Sequence, residues 1–283
     1  MTRRRRLDAE MVRRELAASR SQAQALITAG RVTVSGAPAD KAARLVDPGE
    51  AIEVLGDGPR FVSRGGEKLA AALARFAIDP AGRRVIDAGS STGGFTDCLL
   101  QAGAARVVAI DVGRNQLHER LRADPRVDVH ERTTIRGLDP ANVGGSAELV
   151  VADLSFISLR TVVDDLLALT TPGGELVVLV KPQFEAGKAE ADRGRGVIRD
   201  PAIWRRTLDE VADALQARNA TIRGAMASPI TGGDGNVEFL LHVGTGPDDG
   251  SDPDGSAAAV REERLEACLL YTSPSPRDCN EYL

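Results

Sequence analysis

"RVIDAGSSTGGFTDCLLQAGAARVVAIDV", residues 84–112, decides the fold. "RVIDAG" (84–89) is a short strand-forming run closed by glycine. "GGFTDCLLQAG" (93–103) carries helical spacing, and "RVVAIDV" (106–112) returns to strand. Two strands joined by a helix read as a parallel βαβ unit.

Outward from it the alternation continues. A helix is expected in "NQLHERLRA" (115–123), a strand in "RVDVHE" (126–131), and another in "AELVVAD" (147–153). A helix around "LRTVVDDLLALT" precedes the strand "GELVVLVK" (174–181), and a helix around "IWRRTLDEVADALQAR" follows it. "ATIRGAMASPI" and "NVEFLLHV" close the run as two strands joined by the Gly-rich turn "TGGDG". The pattern predicts an α/β fold, a doubly wound, Rossmann-like sheet that is mostly parallel, with one antiparallel strand from the final hairpin.

The first sixty residues form a different pattern. "LDAEMVRRELAASRSQAQALITAG" (7–30) spaces its apolar residues as two short amphipathic helices broken near Ser19, and "RVTVSG" and "AIEVLG" alternate as short strands. The expected organisation is a small N-terminal α+β unit over 1–58, a linker over 59–66, a large domain over 67–246 and a disordered tail over 247–283. The last stretch, "CLLYTSPSPRDCNEYL" (268–283), lacks periodicity and looks like non-native read-through.

Charge is uneven. The chain carries a formal net charge of -5, but residues 1–31 hold eight Arg against three acids, while residues 243–283 hold nine acids against three Arg. Without that tail the balance is +1, so the acidic total misrepresents the surface a partner meets. No apolar run approaches the ~20 residues of a membrane span, and the N-terminal arginines do not lead into a signal-peptide core. The three cysteines show neither metal-ligand spacing nor a disulfide framework. A cytoplasmic protein without metal, acting as a monomer, is the expectation.

In open α/β sheets ligands bind beyond the carboxyl ends of the parallel strands. Here those ends carry Asp87 and Gly89, Asp111, Asp153 and Lys181, and the antiparallel strand begins at the same rim with Asn236 and Glu238. The turn "DAGSSTGGF" (87–95) has G-x-x-x-G-G spacing rather than the G-x-G-x-x-G of dinucleotide folds, and an acid precedes it where a pyrophosphate would be repelled. Backbone amides around Gly89, Ser90, Ser91 and Gly93 suit a carboxylate, Asp87 suits an ammonium, and Asp111 suits a ribose. These features favour S-adenosyl-L-methionine over a nicotinamide cofactor, although the same glycines would also serve close strand–helix packing. A single Lys–Asp pair at a strand end reads first as a structural ion pair. Several polar residues on one rim point instead to a base, and a lysine can serve if burial or a second cation, such as Lys68, lowers its pKa.

A Lys-Asp-Lys-Glu set in this order resembles the RNA 2'-O-methyltransferases related to the heat-shock 23S rRNA methyltransferase. More closely, the chain resembles the TlyA family (haemolysin A type), which joins a domain like that of ribosomal protein S-four to an FtsJ-like catalytic domain. The match rests on "SRSQAQALITAGRVTVSG", "FVSRGGEKL", "DAGSSTGGFTDCLLQ", "DLSFISL", "VKPQFE" and "GNVEFL". The resemblance implies methylation of cytidine 2'-hydroxyls in 16S and 23S rRNA of ribosomal subunits, with Lys68, Asp153, Lys181 and Glu238 as the catalytic tetrad. It makes Phe156 a cofactor-pocket or base-stacking residue, though an aromatic there also fits plain core packing. Arg4, Arg6, Arg20 and Lys41 are the expected RNA contacts, and Arg13 and Arg14 fit a solvated face. Three rivals stay open: a base methyltransferase, disfavoured because "DLSF" stands where an N-P-P-Y-type loop would; a membrane-lytic protein; and a non-enzymatic RNA-binding factor.

Overall fold

The computed structural model describes residues 4–17, 19–56, 60–246 and 265–266. The chain divides into two compact units, 1–60 and 61–283.

The first unit runs β1 (Arg5–Arg6), α1 (Leu7–Arg13), α2 (Arg20–Thr28), β2 (Val32–Val34), β3 (Ala37–Pro38), β4 (Leu45–Val46) and β5 (Ile52–Val54). Ser19 caps α2, its hydroxyl accepting the Gln22 N–H at 3.2 Å, which explains why the helix restarts there. Leu7, Met11, Ile27, Val32, Val34 and Val46 form one buried core. Each contributes about 2 kcal/mol through burial. The pairing of Arg5 and Arg6 with Val46 and Leu45 was not expected, because two arginines carry no strand signal.

The second unit begins earlier than the sequence suggests. α3 (Gly65–Phe76) starts inside the segment expected as a linker. Phe61 is buried against it, and a Cβ on Gly66 would lie 2.2 Å from the Phe61 ring, so the glycine is there to admit that ring. Then follow β6 (Arg84–Ala88), α4 (Gly94–Gln101), β7 (Arg106–Asp111), α5 (Glu119–Arg122), β8 (Val127–Glu131), β9 (Ala147–Ala152), α6 (Val163–Ala168) and β10 (Thr170–Val180). The unit ends with α7 (Pro182–Glu185), α8 (Lys188–Arg193), α9 (Pro201–Gln216), β11 (Ala220–Ala227) and β12 (Phe239–Thr245). α5 is shorter than expected, since Asn115 turns left-handed at φ 54° and the helix begins only after His118, whose side chain caps it by accepting the Arg120 N–H.

The sheet order is β11-β12-β10-β9-β6-β7-β8, and β12 alone runs against its neighbours. Leu176, Val178 and Val180 of β10 face one core, with Trp204 and Leu208 of α9; Val177 and Leu179 face the other, with α3 and α4. Burial on both faces is why this strand reads as an unbroken apolar run. The strand order reverses between β6 and β9, which opens a crevice at their carboxyl ends. Of the segment expected as a disordered tail, Leu265 and Glu266 are helical and Leu265 is fully buried in the sheet core that holds Trp204 and Leu208; the rest of 247–283 lies outside the described residues. Among the described residues no helix is long and apolar enough to cross a membrane.

Candidate active site

Close approach of two strand ends builds the crevice. Gly89 leaves β6 at φ 88°, and a Cβ there would lie 2.5 Å from the Asp153 carbonyl oxygen beyond β9. Only glycine fits both the angle and the gap. The following turn is held from the neighbouring strand: Asp111 accepts the Ser91 N–H at 2.8 Å and the Gly113 N–H at 2.6 Å. Gly93 has another task, since a Cβ there would meet the Leu121 side chain at 2.3 Å, and it lines neither cavity described below.

Asp87 lies beneath the turn with no exposed surface. Thr96 donates to its Oδ2 at 2.6 Å, while Oδ1 has no partner. Burial pushes its carboxyl up to about 7, and the nearby Asp153 and Asp111 carboxylates add to the effect. Expected to meet an ammonium, it is not brought to the wall of either cavity.

Two cavities meet at Gly89, Ser91, Asp153 and Ser155. One, of about 260 Å³, is polar and is lined also by Ser90, Arg64 and the two lysines Lys68 and Lys181. The other, of about 310 Å³, is lined by the polar Asp111 and Gln116 and by the apolar Ile110, Ile135 and Val162.

The four residues of the expected tetrad form two ion pairs. Lys68 on α3 pairs with Glu238, just before β12, and both are buried. Lys181 pairs with Asp153 at 2.6 Å and donates to the Ser155 hydroxyl at 2.8 Å. Glu238 sits behind Lys68, out of the cavity wall. A Cβ on Gly232 would lie 2.6 Å from the Glu238 carboxylate, so the Gly-rich turn before β12 makes room for it. Pro182 takes the first position of α7 directly after Lys181, which turns the chain out of the sheet and leaves the ammonium at the mouth.

Phe156 is neither core nor pocket floor. It is 91% exposed at φ 62°, on the lip of the larger cavity, with the Phe184 ring 5.2 Å away. Ser155, Arg64 and Gln116 were missed from the sequence; for Ser155 the available signal was its place two residues after Asp153 in "DLSF".

In the first unit the expected RNA contacts are more organised than free arginines would be. Asp8, fully buried, accepts from Arg6 Nε at 3.0 Å and its second nitrogen at 2.9 Å, from Arg20 at 3.0 Å and from Gln24 at 2.8 Å. Those donors hold its carboxyl well below the usual range, Arg6 foremost. Arg4 pairs with Asp47 at 3.1 Å, and Lys41 is exposed. Arg13 and Arg14 share the buried Glu10, whose carboxyl they lower to about 2, and Arg14 also binds the carbonyls of Pro48 and Glu50. Arg14 is therefore structural rather than part of a solvated face.

A doubly wound sheet with one antiparallel strand, a glycine-gated crevice and paired lysines at its rim defines a methyltransferase-type domain, here following a separate small unit. The chain belongs to the FtsJ-like methyltransferase family, which matches residues 61–245, while residues 5–52 match the S4 domain. It is 52% identical over 249 residues to the 16S/23S rRNA (cytidine-2'-O)-methyltransferase TlyA of Mycobacterium tuberculosis, covering 88% of this chain and 92% of that protein. It is 36% identical to Hemolysin A of Brachyspira hyodysenteriae, covering 79% and 93% of the two chains. A solved structure titled "Putative hemolysin from Streptococcus thermophilus" superposes with a TM-score of 0.70 at 36% identity, covering 95% of this chain and 96% of that one.

Proposed function

We propose that this protein methylates the 2'-hydroxyl of cytidine in rRNA, in the 16S or 23S molecule of ribosomal subunits, with S-adenosyl-L-methionine as donor. The observation that carries the reading is the placing of two lysines, each paired with a carboxylate, at one polar cavity beyond the switch point of the sheet. The residues fit the donor. The larger cavity offers Asp111 to a ribose and an apolar wall to a purine, and the smaller one offers the turn of Ser90 and Ser91 to a carboxylate. They meet at Gly89, where any side chain would fill the passage.

When bound, S-adenosyl-L-methionine supplies a methyl group on a positively charged sulfur. The ribose 2'-hydroxyl would take that methyl group in exchange for its proton, which the protein must accept. Lys181, once it has released its extra proton to solvent, takes that proton as a neutral amine, and the ammonium so re-formed is held by Asp153 and Ser155. Lys68, fixed by Glu238, contributes a second positive group that orients the ribose oxygen and keeps the cavity near neutral. Phe156, exposed on the lip, stacks the target base. Arg6, Arg20, Arg4 and Lys41 of the S4 unit meet rRNA phosphates. The enzyme works as a cytoplasmic monomer.

The test is Lys181→Ala in the full chain with ribosomal subunits. Methyl transfer should fall by about 10²- to 10⁴-fold, the usual worth of a placed acid–base group, with donor affinity nearly unchanged. Alkaline hydrolysis of the wild-type product should stop at one protected nucleotide. Normal turnover by the variant, or a product that hydrolyses fully, would refute the assignment.

A further inference from the structure

Beyond the tetrad, one buried carboxylate lies between the loop that follows Asp153 and the turn that follows Lys181. Glu185 closes α7, four residues after Lys181, and is only 3% exposed. It lines neither cavity. Its backbone N–H donates to the Lys181 carbonyl at 3.2 Å, so its position follows that of the lysine. Its side chain reaches the other loop, accepting the Leu159 N–H at 2.7 Å and the Ser158 hydroxyl at 2.5 Å. Arg160 of the same loop donates to the Glu185 carbonyl at 2.8 Å and approaches its carboxylate at 3.4 Å.

The loop so gripped needs holding. Phe156 stands in the left-handed region at φ 62°, a conformation costly for an aromatic residue, and is almost wholly exposed. The surroundings must therefore fix it. The partly buried Phe184, on the turn that Glu185 ends, has its ring 5.2 Å from that of Phe156, while the Glu185 carboxylate anchors the loop at Leu159. Burial of a carboxylate is unfavourable by itself and raises the Glu185 pKa; what it gains here is a rigid bridge between neighbouring loops.

We propose that Glu185 is a positioning residue for methyl transfer. It locks the loop of Ser155 and Phe156 to Lys181, so that the stacked nucleotide and the proton acceptor keep one relative geometry. This rests on the reading of Lys181 and Phe156 given above.

The experiment compares Glu185→Gln and Glu185→Ala with wild type in the full chain, measuring steady-state methylation of ribosomal subunits, S-adenosyl-L-methionine affinity by calorimetry, and melting temperature. Glutamine keeps an acceptor for Leu159 but loses the second carboxylate oxygen, so its kcat should fall severalfold. Alanine should lower kcat by about 10- to 100-fold, the cost of a misplaced reacting group, with donor affinity changed less than about twofold. Phe156→Ala in the Glu185→Ala background should add little, because both act through one loop, whereas independent effects would multiply. If Glu185→Ala fails to fold, the glutamine variant carries the test, alone and combined with Phe156→Ala. Wild-type kcat in the folded variants, or multiplicative loss in the double variant, would overturn the proposal, provided Lys181→Ala is inactive. An active Lys181→Ala would remove the parent reading instead.

Discussion

Asp87→Asn should make the protein more stable relative to wild type as pH rises, although it alters a carboxylate buried directly beneath the crevice. In the folded chain the Asp87 carboxyl titrates at about 7, against about 4 when unfolded. That difference is worth about 4 kcal/mol if fully expressed. For an acid raised on folding, the native state keeps a proton that the unfolded chain gives up. Stability from this group is intact below pH about 4, declines as pH climbs to about 7, and is level above that. Asparagine fills the same space without titrating. The Thr96 hydroxyl can still donate to its oxygen, but the amide nitrogen takes the place of the partnerless Oδ1 and adds a fixed cost of about 1 to 3 kcal/mol. That cost does not vary with pH, and the raised Glu185 carboxyl is common to both proteins and cancels. The difference in unfolding free energy should therefore move toward the variant by about 2 to 3 kcal/mol between pH 5 and pH 8. Urea denaturation at half-unit steps of pH measures it. A difference flat to within about 0.5 kcal/mol would show that Asp87 is not protonated in the fold and would refute the electrostatic argument.

Other substitutions probe separate parts of the molecule. Gly89→Ala forces a Cβ against the Asp153 carbonyl at 2.5 Å and holds φ at 88°, so it should weaken S-adenosyl-L-methionine binding by at least about tenfold and lower stability by about 1 to 3 kcal/mol, read by calorimetry and melting. Normal affinity would mean that the crevice does not hold the donor there. Asp8→Asn removes one negative charge beneath Arg6 and Arg20, which by charge alone would tighten RNA binding. If the buried carboxylate instead pre-orients the two guanidiniums, affinity for ribosomal subunits should weaken by about three- to tenfold at 0.15 M salt, and tighter binding would decide against it.

The fold was largely legible because both-face burial leaves unmistakable runs such as Leu176–Val180, and alternation with helices leaves few topologies. The same topology brought Asp153, Lys181 and Glu238 to one rim before any contact was known, whereas Lys68, 170 residues before Glu238, came to the set through the resemblance. What escaped was local chemistry with a global cause. Residues 61–66 look like a linker by composition, yet Gly66 is there for the Phe61 ring. Asp8 reads as one acid among arginines, and only its burial shows that it organises them. Phe156 allowed three readings from sequence, and its left-handed, exposed setting depends on Phe184 and the Glu185 bridge, partners that no periodicity reveals.

The order in which the chain leaves the ribosome bears on the antiparallel strand. Lys68 emerges before any strand of the large sheet, while Glu238 and β12 come last among its strands. Until then the ammonium lacks its counter-charge and β10 has a bare edge, the kind of unpaired strand that invites wrong partners. A chain made inside a cell crowded with ribosomes thus has no finished sheet while it is still nascent; its closing strand completes the sheet and the Lys68–Glu238 pair together.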